Sequence, residues 1–213
     1  AVLSIIDGQV SAVAGFETRD SGSRGIALAA DRTVFISTAE GVVSVRRGVR
    51  ELVIDSAAAG LSTTLGPLAF DGGGNLYVAD NGTARIIRRA PDGALTLVAG
   101  TGNPVATGAT PPESVDAATT EIGVVNGMVI DLDGNLLLTD ATLGRVRAVS
   151  PSGLMSTLAL IGQPAGLAVD RRGRVFVSDN EVGAIVQLPS GGRLPVNGAS
   201  LSQTVALAVS PSG

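Results

Sequence analysis

Three aspartates close three short apolar stretches of nearly the same design: Asp80 ends LYVAD, Asp140 ends LLLTD and Asp179 ends VFVSD. Carboxylates repeated at equivalent strand ends could form a ring that holds a hard cation, which takes oxygen ligands. Each could instead cap the turn that follows it, because Asp accepts hydrogen bonds from nearby backbone N–H groups. Recurrence in every copy favours the capping role, since a chemical function rarely needs one group per repeat. The other polar chemistry is limited. The chain has no histidine and no cysteine. That removes the commonest general base and the commonest transition-metal ligand, and it excludes disulfides, thiolate metal sites and thiol nucleophiles. A serine nucleophile likewise has no histidine to activate it. The glycine-rich string GTGNPVATG at Gly100 to Gly108 lacks the Lys-Ser/Thr pair and the following helix of a phosphate-binding loop, so it reads as a connecting loop. No catalytic residue, metal ligand set or cofactor is assigned.

The elements that carry these aspartates repeat. PLAFDGGGNLYVAD at Pro67 to Asp80 returns as MVIDLDGNLLLTD at Met128 to Asp140 and as LAVDRRGRVFVSD at Leu167 to Asp179, with a degenerate copy, IALAADRTVFIST, at Ile26 to Thr38. Asp131 and Asp170 are 39 positions apart, Asp170 and Ser210 are 40 apart, and Asp71 and Asp131 are 60 apart. A period of about 40 residues is that of one four-stranded propeller blade. The longer gap implies an insertion. Each copy continues through a second hairpin, as in ARIIRRAPDGALTLV, where Asp92-Gly93 supplies the turn between a strand at Ala84 to Arg89 and one at Ala94 to Val98. Composition agrees: 29 glycines supply turns, and apolar residues at 45% with aromatics at 2% leave Ala, Val, Leu and Ile to fill short strands. The fold class expected is all-β, a β-propeller of four-stranded antiparallel blades forming one domain. Its parts are a partial blade at 1–16, a blade at 25–55, a blade at 66–100, an inter-blade insertion loop at 101–122, blades at 126–159 and 164–197, and the start of a further blade at 204–213. That makes four near-complete blades plus two partial ones, in a ring of five or six. A chain stopping inside a turn favours residues missing beyond both ends over a five-blade ring with a defective closing blade.

The phrases NLYVADNGTARIIRRAPDGALTLVAGTG and GNLLLTDATLGRVRAVSPSGLMSTLA resemble bacterial NHL repeats, over nearly the whole chain and most weakly around Ile26 to Asp55. The resemblance implies a propeller, usually of six blades, that binds proteins or other ligands more often than it catalyses. It also brings two enzyme rivals. Propeller hydrolases of the lactonase or arylesterase kind gather Glu, Asp and Asn around a metal where the innermost strands begin. Here those entrances are Arg24, Leu65-Gly66, Val125-Asn126, Gly162-Gln163 and Gln203-Thr204, with Asn126 and Glu121 the credible ligands, too few for a hard cation. Amidating lyases and streptogramin lyases resemble this fold too, but their chemistry relies on histidine, which this chain lacks.

Charge is expected to divide between the two faces of the disc. The face bearing the D–A and B–C loops receives Glu113, Asp116, Glu121, Asp80, Asp140, Asp179 and Glu181, while the other receives Arg46, Arg47, Arg89, Arg147, Arg171 and Arg172 among others. Arg85 and Arg145, at the starts of strands C, are placed to pair with Asp80 and Asp140. Glu113, Asp116, Glu121, Asp80, Asp140, Asp179, Glu181, Arg171 and Arg172 are the expected partner-binding residues. The expected function is a non-catalytic interaction or scaffolding module, with protein partners that could form a larger complex. The alternative is a metal-dependent propeller hydrolase with ligands partly outside this chain. An Arg-rich face also suits peripheral contact with an anionic surface. The net charge of −4 argues against nucleic acid, and no apolar run is long enough for a transmembrane helix. An extracytoplasmic location is expected.

Overall fold

The computed structural model describes residues 3–6, 9–12, 24–189, 191–194 and 206–209. It is a β-propeller. The first hairpin pairs β1 (Leu3–Ile6) with β2 (Gln9–Ala12). Four antiparallel sheets follow. Blade one runs β3 (Ile26–Leu28), β4 (Val34–Ser37), β5 (Gly41–Arg46), β6 (Val49–Asp55), then a one-turn helix α1 (Ser56–Ala59). Blade two is β7 (Leu65–Phe70), β8 (Leu76–Asp80), β9 (Arg85–Arg89) and β10 (Leu95–Ala99). Next come β11 (Val115–Asp116) and the strands of blade three, β12 (Val125–Ile130), β13 (Leu136–Asp140), β14 (Arg145–Val149) and β15 (Leu154–Leu160). Blade four is β16 (Pro164–Val169), β17 (Val175–Asp179), β18 (Ala184–Leu188) and β19 (Gly192–Leu194). Among the described residues no helix is long and apolar enough to cross a membrane.

Both faces of each central sheet are covered by a neighbour, which explains near-continuous apolar strands such as LLLTD in β13, buried throughout. Between blades two and three, small Ala69, Ala79 and Ala99 meet Met128, Leu138 and Met155. Leu137, Val146, Val177 and Val186 fill the space between blades three and four, and Val42, Ile54, Leu68 and Val78 that between blades one and two. The innermost strands β3, β7, β12 and β16 pack in that order, and residues 206–208 lie against Gly166.

Two hydrogen-bonded devices repeat. At each A–B turn one carboxylate organises the loop. Asp71 Oδ1 accepts from the N–H groups of Gly73 and Asn75, and Asp131 does the same for Asp133 and Asn135, and Asp170 for Arg172 and Arg174, all at 2.8–3.0 Å. At the B–C turns of blades two, three and four the strand-end aspartate ties the turn to the loop entering the same blade. Asp140 accepts from Leu143 N at 3.1 Å and Gly123 N at 3.0 Å; Asp179 accepts from Glu181 N at 3.0 Å and Gln163 N at 3.1 Å. Asp80 accepts from Ser62 N at 3.0 Å, from the Ser62 hydroxyl and from Thr83 Oγ1 at 2.6 Å.

The structure changes three expectations. The 101–122 segment is more than a loop: β11 adds a fifth strand to blade three, pairing Val115 with Met155 and Asp116 with Leu154, because the outer edge of β15 offers unpaired backbone groups. Arg147, expected on a solvent face, is wholly buried, because residues 145, 147 and 149 share one face of β14 and the insertion covers that face. Arg145 donates to Thr157 Oγ1 rather than to Asp140, and the guanidinium near Asp140 is that of Arg147, 3.9 Å away. The Asp7-Gly8 turn, residues 13–23, 195–205 and 210–213 lie outside the described residues.

Candidate functional site

The inner strands β3, β7, β12 and β16, with residues 206–208, line a channel of about 380 Å³. Its floor is apolar: Ile26, Leu68, Met128, Leu167 and Leu207 occupy equivalent positions around it. Among the described residues that line it, the polar side chains are Arg24 and Asn126, both exposed and both at the entrance where strands A begin.

Local structure explains why Asn126 faces the channel. The pairing of β12 with β13 slips between Val125 and Met128, and the same slip occurs between Leu65 and Leu68 and between Pro164 and Leu167. Such a bulge re-aims a side chain out of the pleat. Position 127 is glycine because a Cβ there would run into the carbonyl of Ala165 on the next blade. The bulge is anchored on both sides. Asn81 of blade two donates Nδ2 to Val125 O and accepts from Val125 N, both at 2.9 Å. Thr139 Oγ1 accepts from Gly127 N at 2.7 Å and donates to Ala165 O at 2.9 Å. Asn126 is thus held on backbone fixed from two neighbouring blades, which suits a group that must meet a ligand without reorganising.

A second polar cluster lies under the insertion. Arg147 Nη1 donates to Glu121 O at 3.2 Å, while its Nε and Nη2 have no partner. Burial pulls the guanidinium below its ordinary pKa, against the opposing charges of Asp140 and Glu113. Glu113 accepts from Thr157 N and from Thr157 Oγ1, strapping the insertion onto β15. Burial acts to raise its pKa, but these hydrogen bonds and the charges of Arg147 and Arg145 outweigh it and hold it below the ordinary value.

The residues singled out from sequence separate into two groups. Asp80, Asp140 and Asp179 are buried and satisfied by the turn contacts above. A partner could reach their carboxylates only if the B–C turns opened. Glu113, Asp116, Glu121, Glu181, Arg171 and Arg172 are exposed. Asp116 accepts from Ala118 N at 2.9 Å and starts the short 3₁₀ turn Ala117–Thr119. Glu121 does not line the channel beside Asn126. Among the described residues no three His, Cys, Asp or Glu side chains converge as a metal site needs, and a guanidinium at the channel entrance repels a dication. These residues do not fit a catalytic metal.

No protein-family model matches the chain, and no curated protein does. Solved structures do. A streptogramin B lyase superposes with TM-score 0.62 at 18% identity, covering 87% of this chain and 59% of that one. A gluconolactonase of Xanthomonas campestris gives TM-score 0.65 at 19% identity, covering 90% and 67%. A catalytically inactive histidine-to-alanine variant of the virginiamycin B lyase of Staphylococcus aureus gives TM-score 0.58 at 16% identity, covering 84% and 57%. The chain therefore spans about three-fifths of the length of the lyases. At these identities the likeness establishes the β-propeller fold.

Proposed function

We propose that this chain is part of a propeller hydrolase that binds a small ester or lactone at the channel entrance. The observation that carries the reading is the apolar channel with Arg24 and Asn126 at one mouth, the latter on anchored backbone. Arg24 can pair with a carboxylate or with negative charge building on a carbonyl oxygen, and the Asn126 amide can donate to the same oxygen; preorganised donors of this kind favour acyl-transfer transition states. The structural neighbours include a gluconolactonase and a lyase. The lactonase direction is preferred, because the inactive variant among the lyases has lost a histidine and this chain has none. The attacking group and its base lie outside the residues named here.

The reading is tested by following acid release from gluconolactone and from a panel of aryl esters, with the wild type beside Asn126→Ala and Arg24→Gln. Saturable turnover that falls about 100-fold in either variant is expected, the size of losing one oxyanion donor. Turnover that is absent, or indifferent to both substitutions, overturns it. A second reading, a non-catalytic module that binds protein partners, is favoured by the exposure of Glu113, Asp116, Glu121, Glu181, Arg171 and Arg172. Native co-purification with cross-linking through those residues tests it.

A further inference from the structure

Away from the channel, on the face of the A–B and C–D turns, blades one and two part to form a cleft of about 620 Å³. This is within the size range of small-molecule sites. The chain has four phenylalanines, one tyrosine and no tryptophan. Two of those five rings, Phe35 and Phe70, meet edge to face in this cleft with centroids 5.0 Å apart, and Val53 and Leu76 extend the apolar floor. The rim carries Arg46, Arg47 and Arg89. Arg46 is paired with Asp31 at 3.2 Å, and Glu51 is the lining carboxylate. Among the described residues Arg47 and Arg89 have no carboxylate partner. Three cations against two anions leave an excess of one positive charge beside an aromatic floor.

Arg47 is held there at a cost. Residues 47 and 48 join β5 to β6, with φ of 50° and 80°. That is a type I′ turn, whose first central position favours Asn, Asp or Gly. A long side chain kept in the left-handed region points to a role beyond the turn.

We infer that this inter-blade cleft binds a small organic monoanion, a carboxylate on an aromatic or aliphatic body. The body lies on Phe35 and Phe70 and the carboxylate meets Arg47 and Arg89. The single excess charge suits a monocarboxylate better than a phosphate. The inference is independent of the channel.

The test is isothermal titration of the whole chain with phenylbutyrate and with its uncharged counterpart phenylbutanol. The variants are Arg47→Asn, Arg89→Gln and, as a control on another blade, Arg172→Gln. Asn is the residue this turn prefers, so the first variant leaves the fold intact. The expected result is one-site binding of the acid, with the alcohol about tenfold weaker or worse. Each of Arg47→Asn and Arg89→Gln should weaken the acid about tenfold, as expected for losing a charge-assisted hydrogen bond, and Arg172→Gln should leave it unchanged. No saturable binding, equal affinity for the alcohol, indifference to both cleft variants, or an equal effect of the control overturns the inference.

Discussion

Replacing Asp140 should expose how blade three is held together. Its carboxylate is fully buried, accepts from Gly123 N and Leu143 N, and is the nearest counter-charge to the buried guanidinium of Arg147. In Asp140→Ala the buried N–H of Gly123 loses its acceptor, at about 1–3 kcal/mol, and the half-buried N–H of Leu143 loses its own at the low end of that range. A buried cation also loses its partner, a change that costs about 3–5 kcal/mol where it has been measured. These effects overlap, so a total of about 4–6 kcal/mol is expected, much of a typical domain's 5–15 kcal/mol. Asp140→Asn keeps one acceptor oxygen and removes the charge, and about 2–3 kcal/mol is expected. Arg147→Met removes the cation together with its two unpartnered nitrogens, so Asp140→Asn should cost less in that background, with a coupling of about 2 kcal/mol. Asp80 occupies the same position in blade two but is met by Ser62 and Thr83 hydroxyls. Asp80→Asn should therefore be additive with Arg147→Met. Urea unfolding followed by far-ultraviolet circular dichroism measures all of these. An Asp140→Asn cost under about 0.5 kcal/mol, or a coupling within about 0.5 kcal/mol of zero, would refute the reasoning.

Other substitutions probe separate features. Gly100→Ala should destabilise by about 2–4 kcal/mol in the same urea assay, because φ is +90° and the added methyl would meet the Ala84 carbonyl. Arg47→Asn should raise the melting temperature by about 2 °C in calorimetry by relieving a left-handed residue, while weakening acid binding in the cleft. Asp71 and Asp170 are pushed up by burial, but backbone and side-chain donors at the A–B turns prevail and hold both below their ordinary 3.8. Folded-state values below unfolded ones give stability that is present above the ordinary value and is lost as pH falls through the folded-state value. The unfolding midpoint should thus be flat down to about pH 5 and fall below about pH 4, and Asp71→Asn should make that acid loss shallower.

Local chemistry explains what could be read from the chain directly. The A–B turn needs a carboxylate, a glycine and a polar residue within five positions, so DGGGN, DLDGN and DRRGR announce it. The strand-end aspartates were legible as caps for the same reason: their partners in the B–C turn are two or three residues away. Their second partners, Ser62, Gly123 and Gln163, come from the loop entering the blade, 16 to 18 positions back. The burial of Arg147 had a signal, the alternation that sets it on the face of core residue Val149, but what covers that face depended on where the insertion folded. No local pattern joins Phe35 of one blade to Phe70 of the next. Their meeting depends on how the blades stack, and so does the placing of Arg24 and Asn126 at one channel entrance.

The most direct test of the channel as the functional site is a crystal structure of the protein soaked with gluconate, the hydrolysis product of the lactone proposed as substrate. Density at the entrance, with the carboxylate between Arg24 and Asn126, is the expected result. Well-ordered gluconate elsewhere with an empty entrance, or no bound gluconate at saturating concentration, would contradict it.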